Sequence, residues 1–257
     1  MTTVKHSVRI SGAIMMREFN AFFQTPVGWM CLLGFSLING LIFSWIAAAY
    51  SDPITINTGQ AADLNSHIIP EYFGTLSIIL ILLSPALSMR SFSEDLKTKS
   101  FELLLSSPIK SSHIVIGKFL GIALFAIVLL STTLPCIILL FRLSDPSLSI
   151  VCLNYLSCYL MILSCCAIGL AISAWTSNQL ISLSLTFIMV MTLWFMMGIA
   201  PLFSGTTTQV IAYISLLSHI DHLSKGLLHT RDIVYFLSFI LFFLYLCQQR
   251  IEAYRWM

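Results

Sequence analysis

The sequence predicts an all-α integral membrane protein with six transmembrane helices. Its residues are 58% hydrophobic and only 9% charged, with a mean hydropathy of +0.92, whereas about a quarter of the residues of soluble domains are charged. The apolar residues are also gathered into runs that can cross about 30 Å of hydrocarbon as helices, which satisfy their backbone hydrogen bonds internally. We place these runs at 27–50, 68–89, 114–141, 149–174, 179–203 and 233–249.

The distribution of Lys and Arg predicts that both termini are cytoplasmic, because these residues collect on the inner side of a membrane. The inverted orientation is the alternative, and the charge distribution disfavours it. With both termini inside, the outer side holds only Arg142, Lys225 and Arg231, and the inner side holds Lys5, Arg9, Arg17, Arg90, Lys97, Lys99, Lys110, Lys118, Arg250 and Arg255.

Residues 1–26 precede the first span and predict an amphipathic helix at the membrane surface. Apolar side chains from Val4 to Phe23 share one helical face, and Lys5, Arg9 and Arg17 lie elsewhere, a pattern typical of interfacial helices. Pro26 then turns the chain into the first span. The alternative is a disordered basic tail. Residues 27–257 form the predicted six-helix domain.

The stretch RSFSEDLKTKSFELLLSSPIK, residues 90–110, is unusually polar for this chain. Its apolar residues recur at helical spacing, and Ser93 precedes Glu94 and Asp95, which predicts an N-cap followed by acids in the first turn. We expect a short amphipathic helix at about 91–106 on the cytoplasmic face. A solvated loop is the alternative. Acids interspersed with bases favour docking to a protein over binding to anionic lipid, which acids repel.

Residues 204–232 are too polar to span a membrane and too long for a simple turn, so we expect short helices lying at, or re-entering, the outer leaflet. His219 and His222 share a helical face there, with His229 further along. Metal binding is one interpretation of these histidines, and packing at the interface is the favoured one because a complete ligand set is not evident. The cysteines all lie in apolar runs, which is typical of packing residues.

Gly117 and Gly121 form a G-x-x-x-G pattern at the start of the third span. Such a pattern permits close helix contact, and we expect this contact to lie within the subunit, with dimerisation as the alternative. Lys118 lies near a span end, where we expect it to snorkel toward water. Pro135, within the same span, is a candidate bend.

The stretch MRSFSEDLKTKSFELLLSSPIKSSHIVIGKFLG, residues 89–121, resembles the signature of ABC-2-type transporter permeases, most closely the gliding-motility and auxiliary-export branch. REFNAFFQTPVGW (17–29) and SHIDHLSKGLLHTRDIVYFLSF (218–239) resemble the start of that family and its outer segment. The matched positions in the first stretch are Met89, Arg90, Phe92, Glu94, Asp95, Glu102, Leu104, Leu105, Pro108, Gly117 and Lys118. Lys99 and Ser100 stand where the family has Gly-Thr.

The resemblance implies the fold of type V exporters and a permease that is not itself an enzyme. A separate ABC ATPase subunit would bind ATP and Mg, and this chain would bind no cofactor or metal. The segment 91–106 would be a coupling helix, whose contacts with the ATPase we assign to Glu94, Asp95, Lys97, Lys99 and Glu102. Arg17 and Glu18 on the N-terminal elbow helix would add contacts.

Further partners implied by the resemblance are a second permease copy or a related permease, lipids and a periplasmic protein. The implied location is the bacterial inner membrane, and the implied function is export of, or action on, an envelope-associated substrate. The sequence itself contains no G-x-x-x-x-G-K-[ST], H-E-x-x-H or G-x-S-x-G motif. The alternatives are an ion-coupled secondary transporter, which usually needs ionisable residues in mid-membrane, and a scaffold that anchors an ATPase or a periplasmic partner without transport.

Overall fold

The computed structural model describes residues 2–51, 68–98, 110–143, 146–203, 205–224, 226 and 229–255, and the regular elements in these ranges are all helical. The α-helices are α1 (Thr2–Gln24), α2 (Pro26–Ser51), α3 (Ile69–Ser88), α4 (Ser93–Lys97), α5 (Ser111–Ser131), α6 (Leu134–Leu143), α7 (Leu148–Ser173), α8 (Gln179–Ile199), α9 (Thr206–Ile214), α10 (Leu216–Ser224) and α11 (Thr230–Arg255). A 3₁₀ turn at Ala200–Leu202 joins α8 to α9.

Six stretches of helix are long and apolar enough to cross a membrane, which confirms the six predicted spans. They are α2, α3 continued through α4, α5 continued through α6, α7, α8 and α11. The last span was predicted to end at 249, whereas α11 continues to Arg255. Hydrogen bonds between side chains one turn apart stabilise these polar last turns of the helix. Gln248 donates to Glu252, and Arg250 donates to Tyr254.

Helix α7 is the centre of the bundle and contacts α3, α5, α8, α10 and α11. Most of its length is buried, and the C-terminal half of the helix is rich in Ser, Cys, Ala and Gly. In a membrane the hydrophobic effect does not drive helices together, so association depends on close packing. Small side chains permit that packing. Cys158, Cys165 and Cys166 are fully buried in these contacts as free thiols, so the predicted packing role of these cysteines is confirmed.

The third span is not one continuous helix, and the prediction of a single helix at 114–141 is corrected. Helix α5 ends at Ser131 and α6 begins at Leu134. Pro135 has no N–H for the carbonyl of Ser131, and its ring crowds that carbonyl. The turn between the helices is held by Thr133, whose hydroxyl lies 2.6 Å from the Tyr155 hydroxyl on α7.

Helix α1 packs closely against α5, so it belongs to the helix bundle as well as to the elbow. A Cβ atom at Gly117 would lie 2.8 Å from Ile14 Cβ, and one at Gly121 would lie 2.7 Å from Glu18 Cβ. Only glycine permits this approach, which confirms that the G-x-x-x-G pattern packs within the subunit. Among residues 9–24 of α1, whose side chains the structure describes, Ile14 and Phe22 are buried, and Phe22 stacks on Phe125 of α5.

Replacing Gly117 with valine should push α1 away from α5 and lower the free energy of unfolding by about 1–3 kcal/mol, the usual cost of overpacking. Circular dichroism of the purified protein during denaturation would measure the change. The matched control is Gly12→Ala, because a Cβ atom at Gly12 meets nothing within 4 Å and alanine favours helix by up to about 1 kcal/mol. If the two variants changed stability in the same direction, the close contact would not hold α1 in place.

Six spans return the chain to the side of the membrane from which it started. We call the end of the bundle formed by α1, α4, the start of α5 and the end of α11 the terminal face. The opposite end, formed by the end of α6, by α9 and α10 and by the start of α11, is the far face.

Candidate functional site

A buried lysine joins three separate segments at the terminal face. Lys118, near the start of α5, has a side chain only 1% exposed. Its ammonium lies 2.7 Å from Glu18 Oε1 on α1 and 2.8 Å from Asp95 Oδ2 on α4. It also donates to the carbonyl oxygen of Ser91 at 2.5 Å and sits 4.9 Å from the centre of the Phe92 ring. Four partners therefore surround one cation.

Lys118 does not snorkel to water, and this expectation was wrong. A buried ammonium ion is costly unless it is paired and hydrogen-bonded, and both conditions are met here by residues far apart in sequence. The sequence did contain a signal for this pairing, because the polar segments before the first span and after the second span both carry acids. Which of these acids pair with Lys118 could be identified only when the fold placed α1 and α4 beside α5.

Local structure fixes the position of each carboxylate. The close contact at Gly121 sets Glu18 over α5. A helical turn links α3 to α4, with Ser91 N–H donating to the Ser88 carbonyl, and the fully buried Phe92 anchors the start of α4. The prediction that Ser93 caps this helix is wrong: Ser93 is its first residue, and its hydroxyl donates to the Met89 carbonyl instead.

Two arginines add further ion pairs beside Lys118 and its carboxylates. Arg17 lies 3.1 Å from Glu18 and 3.8 Å from Asp95, with 53% of its side chain exposed. Arg90 pairs with Glu94 at 3.3 Å and donates to the Thr25 hydroxyl at 2.8 Å, which ties the end of α3 to the turn between α1 and α2. We call these six residues the charged cluster: Arg17, Glu18, Arg90, Glu94, Asp95 and Lys118. They line a cavity of about 300 Å³.

The charged cluster contains four of the residues assigned to coupling from the sequence: Arg17, Glu18, Glu94 and Asp95. Lys97 ends α4 and is exposed, whereas Lys99 and Glu102 lie outside the described residues. Of the predicted coupling helix at about 91–106, the structure describes residues 91–98, in which α4 is five residues long. The contacts of these residues with a partner remain a prediction.

The far face has a second buried polar contact, centred on His219 of α10. Its Nδ1 lies 2.6 Å from Asp232 Oδ1 on α11, and its Nε2 lies 2.9 Å from the Tyr213 carbonyl oxygen on α9. A carbonyl oxygen can only accept, so the contact at Nε2 is a hydrogen bond that the imidazole donates to Tyr213. His219 also stacks on Tyr235, with ring centres 3.9 Å apart.

This contact shows that His219 has a packing role, as favoured from the sequence, although in the bundle interior and not at its surface. Both ring nitrogens are occupied by protein partners, which leaves neither for a metal ion. His229 is exposed, and the side chain of His222 lies outside the described residues. His219 and Asp232, both 1% exposed, fasten the two short helices of the far face to the last span.

Comparison with known proteins supports the interpretation of the bundle as a permease. A model of the ABC-2 family transporter protein matches residues 13–250, which include the charged cluster, the six apolar helices and the contact between His219 and Asp232. A search of curated proteins finds no significant match. Because the family model covers almost the whole chain, the protein belongs to the ABC-2 family of transporter proteins and is a multi-pass membrane permease.

Proposed function

We propose that this chain is the membrane subunit through which a separate ATP-hydrolysing subunit drives the export of an envelope-associated substrate. The observation that supports this proposal best is the charged cluster, because it joins the polar segment after α3 to two long helices. Asp95 on that segment pairs with Lys118 of α5, and Lys118 pairs with Glu18 of α1. A partner that displaces the segment would therefore move α1 and α5 through these contacts, and α3 through the chain itself.

Coupling of this kind requires a rigid path of packed side chains and ion pairs between the site that is pushed and the element that moves. The cluster supplies such a path because Lys118 is buried on α5 and its two carboxylate partners lie on α1 and α4. Phe92, fully buried beside it, fixes the start of α4 to the bundle. The permease itself would not hydrolyse ATP; ATP and Mg would bind to the partner, as expected for a chain whose sequence has no phosphate-binding loop.

Exposure divides the proposed coupling residues into two groups. Asp95 and Glu18 have side chains 17% and 15% exposed and point toward Lys118, so we assign them to transmission within the permease. Glu94, 47% exposed, and the exposed Lys97 are available to the ATPase subunit. We propose that Lys99 and Glu102 extend the same docking surface, with Arg17 at its edge.

We place the terminal face in the cytoplasm, in the inner membrane of a bacterium, on the basis of the Lys and Arg distribution. The pathway would form between two permease copies or a related pair. The spans least enclosed by their own chain are α8, α2 and α11. Of these, α2 and α8 carry many exposed large apolar residues, among them Leu37, Leu41, Leu180 and Ile188. These helices are available to lipid or to the second copy.

The first test is a pull-down of the tagged chain from its own membranes in mild detergent, followed by mass spectrometry. We expect a stoichiometric soluble subunit with a phosphate-binding loop, whose ATPase activity rises when it is bound to the permease. Lys97→Glu should weaken this association by about tenfold, since reversing one contact charge costs about 1.4 kcal/mol or more. The matched control is Arg142→Glu on α6 at the far face, which should leave association and stimulation unchanged.

Two outcomes would point to the other functions. Recovery of the folded chain alone, with uptake or efflux abolished by ionophores, would indicate a secondary carrier. In the described spans, however, Asp, Glu, Lys and Arg occur only toward helix ends. A bound ATPase whose activity is insensitive to the permease and to Lys97→Glu would indicate a scaffold.

A further inference from the structure

The far face contains a groove that has no role in the proposed coupling to an ATPase subunit. It has a volume of about 580 Å³ and lies between α9, α10 and the start of α11. Gln209, Tyr213, Ser218 and Arg231 contribute to its lining, together with the apolar Val210. The lining therefore contains one formal positive charge.

Arg231 is held in place by the ring of Tyr213. Its guanidinium carbon lies 4.7 Å from the centre of that ring, a distance at which cation and aromatic face attract each other. A guanidinium held over an aromatic ring still has N–H donors that can bind phosphate in a bidentate manner. Tyr213 is itself fixed, because its carbonyl accepts the hydrogen bond from His219.

The charge of Arg231 is not neutralised by its neighbour in sequence. The carboxyl group of Asp232 is turned into the bundle toward His219. Among the residues that the structure describes, no carboxylate lies within ion-pairing distance of Arg231, and the groove lining includes no acid. The buried His219–Asp232 contact thus both positions the groove and leaves its cation available.

The surroundings of the groove favour a lipid over a soluble anion. Arg231 is the second residue of α11, which is apolar enough to span the membrane from Thr230 onward, so the arginine lies at the level of lipid headgroups. Val210 in the lining is 53% exposed, and Leu202 and Phe203, which directly precede α9, are 82% and 50% exposed. A charged pocket bordered by exposed apolar side chains matches a headgroup attached to acyl chains.

We propose that this groove binds the headgroup of an anionic phospholipid from the leaflet at the far face. The phosphate contacts Arg231, the polar part of the headgroup lies against Gln209, and an acyl chain covers Val210 and Phe203. The bound lipid holds α9 against the start of the last span. This inference does not depend on ATP-driven export, because it concerns a site at the opposite end of the bundle.

The test is titration of the purified protein, with any subunit that copurifies, against dioleoyl phosphatidylglycerol and dioleoyl phosphatidylcholine, measured by native mass spectrometry. Wild type should bind phosphatidylglycerol more tightly. Arg231→Gln should weaken that binding roughly fivefold, the effect of about 1 kcal/mol per basic residue near a lipid surface, and should not alter binding of phosphatidylcholine. Arg231→Lys keeps the charge and loses the bidentate fork, so its affinity for phosphatidylglycerol should lie between those of wild type and Arg231→Gln.

The matched control is Arg142→Gln, since Arg142 is an exposed arginine on the far face and is not part of the groove lining. Equal effects of the two glutamine variants, or equal affinity of wild type for the two lipids, would overturn the proposal. Displacement of the bound lipid by millimolar glycerol 3-phosphate would also overturn it, by showing a site for free phosphate. Tryptophan fluorescence and gel-filtration profiles matching wild type would establish that Arg231→Gln is folded.

Discussion

Replacing Lys118 with methionine is expected to lower the free energy of unfolding by about 3 kcal/mol, the lower end of the cost of breaking a buried ion pair. Methionine has a similar volume, so the loss comes from charge and not from packing. Glu18 and Asp95, with side chains 15% and 17% exposed, would be left as anions with no buried cation between them. Titration with a denaturing detergent, followed by circular dichroism, measures the loss.

The matched control is Arg17→Met. Arg17 contacts the same two carboxylates, at 3.1 and 3.8 Å, but its own side chain is 53% exposed. An exposed ion pair contributes about 0–1 kcal/mol because water and salt screen it. Comparable losses in the two variants would show that burial of Lys118 does not determine the strength of the cluster.

The triple variant Lys118→Met, Glu18→Gln, Asp95→Asn separates stability from coupling. With all three charges removed, no unpaired ion remains buried, and most of the lost stability should return. Stimulation of the ATPase subunit should nevertheless stay low, because the ion pairs that join α4 to α1 and α5 are gone. A triple variant that is stable and fully stimulated would remove the charged cluster from the proposed mechanism, although it would leave the family assignment intact.

Gly169→Val should be the most damaging substitution in the core of the bundle, with an expected loss of about 3 kcal/mol or more. Gly169 lies where α7 meets both α3 and α8. A Cβ atom there would lie 1.8 Å from Ser88 Oγ, 2.6 Å from Ser88 Cβ and 2.9 Å from Thr186 Cγ2. Rotation of the Ser88 hydroxyl relieves only the first contact, so the helices themselves must separate, which costs more than ordinary overpacking.

The experiment compares melting temperatures, and the recovery of monodisperse protein, for Gly169→Val, Gly169→Ala and Gly74→Ala. Gly74 lies in the apolar helix α3, and a Cβ atom at that position meets nothing within 4 Å, so Gly74→Ala should leave stability unchanged or raise it. Ser88→Gly should restore part of the stability of Gly169→Ala, because it removes both the hydroxyl and the Cβ atom that obstruct the new methyl group. Absence of this rescue would mean that α3 and α7 are not in close contact at Gly169.

The sequence alone determined the number of spans and their approximate positions, because an apolar run of about 20 residues can cross hydrocarbon as an α-helix that satisfies its own backbone hydrogen bonds. It also identified the polar segment after the second span and the family, since these depend on residues that are contiguous in the chain. The close contact at Gly117 was predictable for the same reason, as two glycines four residues apart define a helix face without reference to the partner helix.

The tertiary structure decided which residues meet. Lys118 was expected in water, yet the packing of α1 on α5 and the turn after α3 bring it together with Glu18 and Asp95. Likewise, His219 and Asp232 are thirteen positions apart in the chain and form one buried contact. Periodicity shows which side of a helix is polar, but a buried charge is stable only beside its partner. That partner is set by how distant helices pack, which no single segment of the chain encodes.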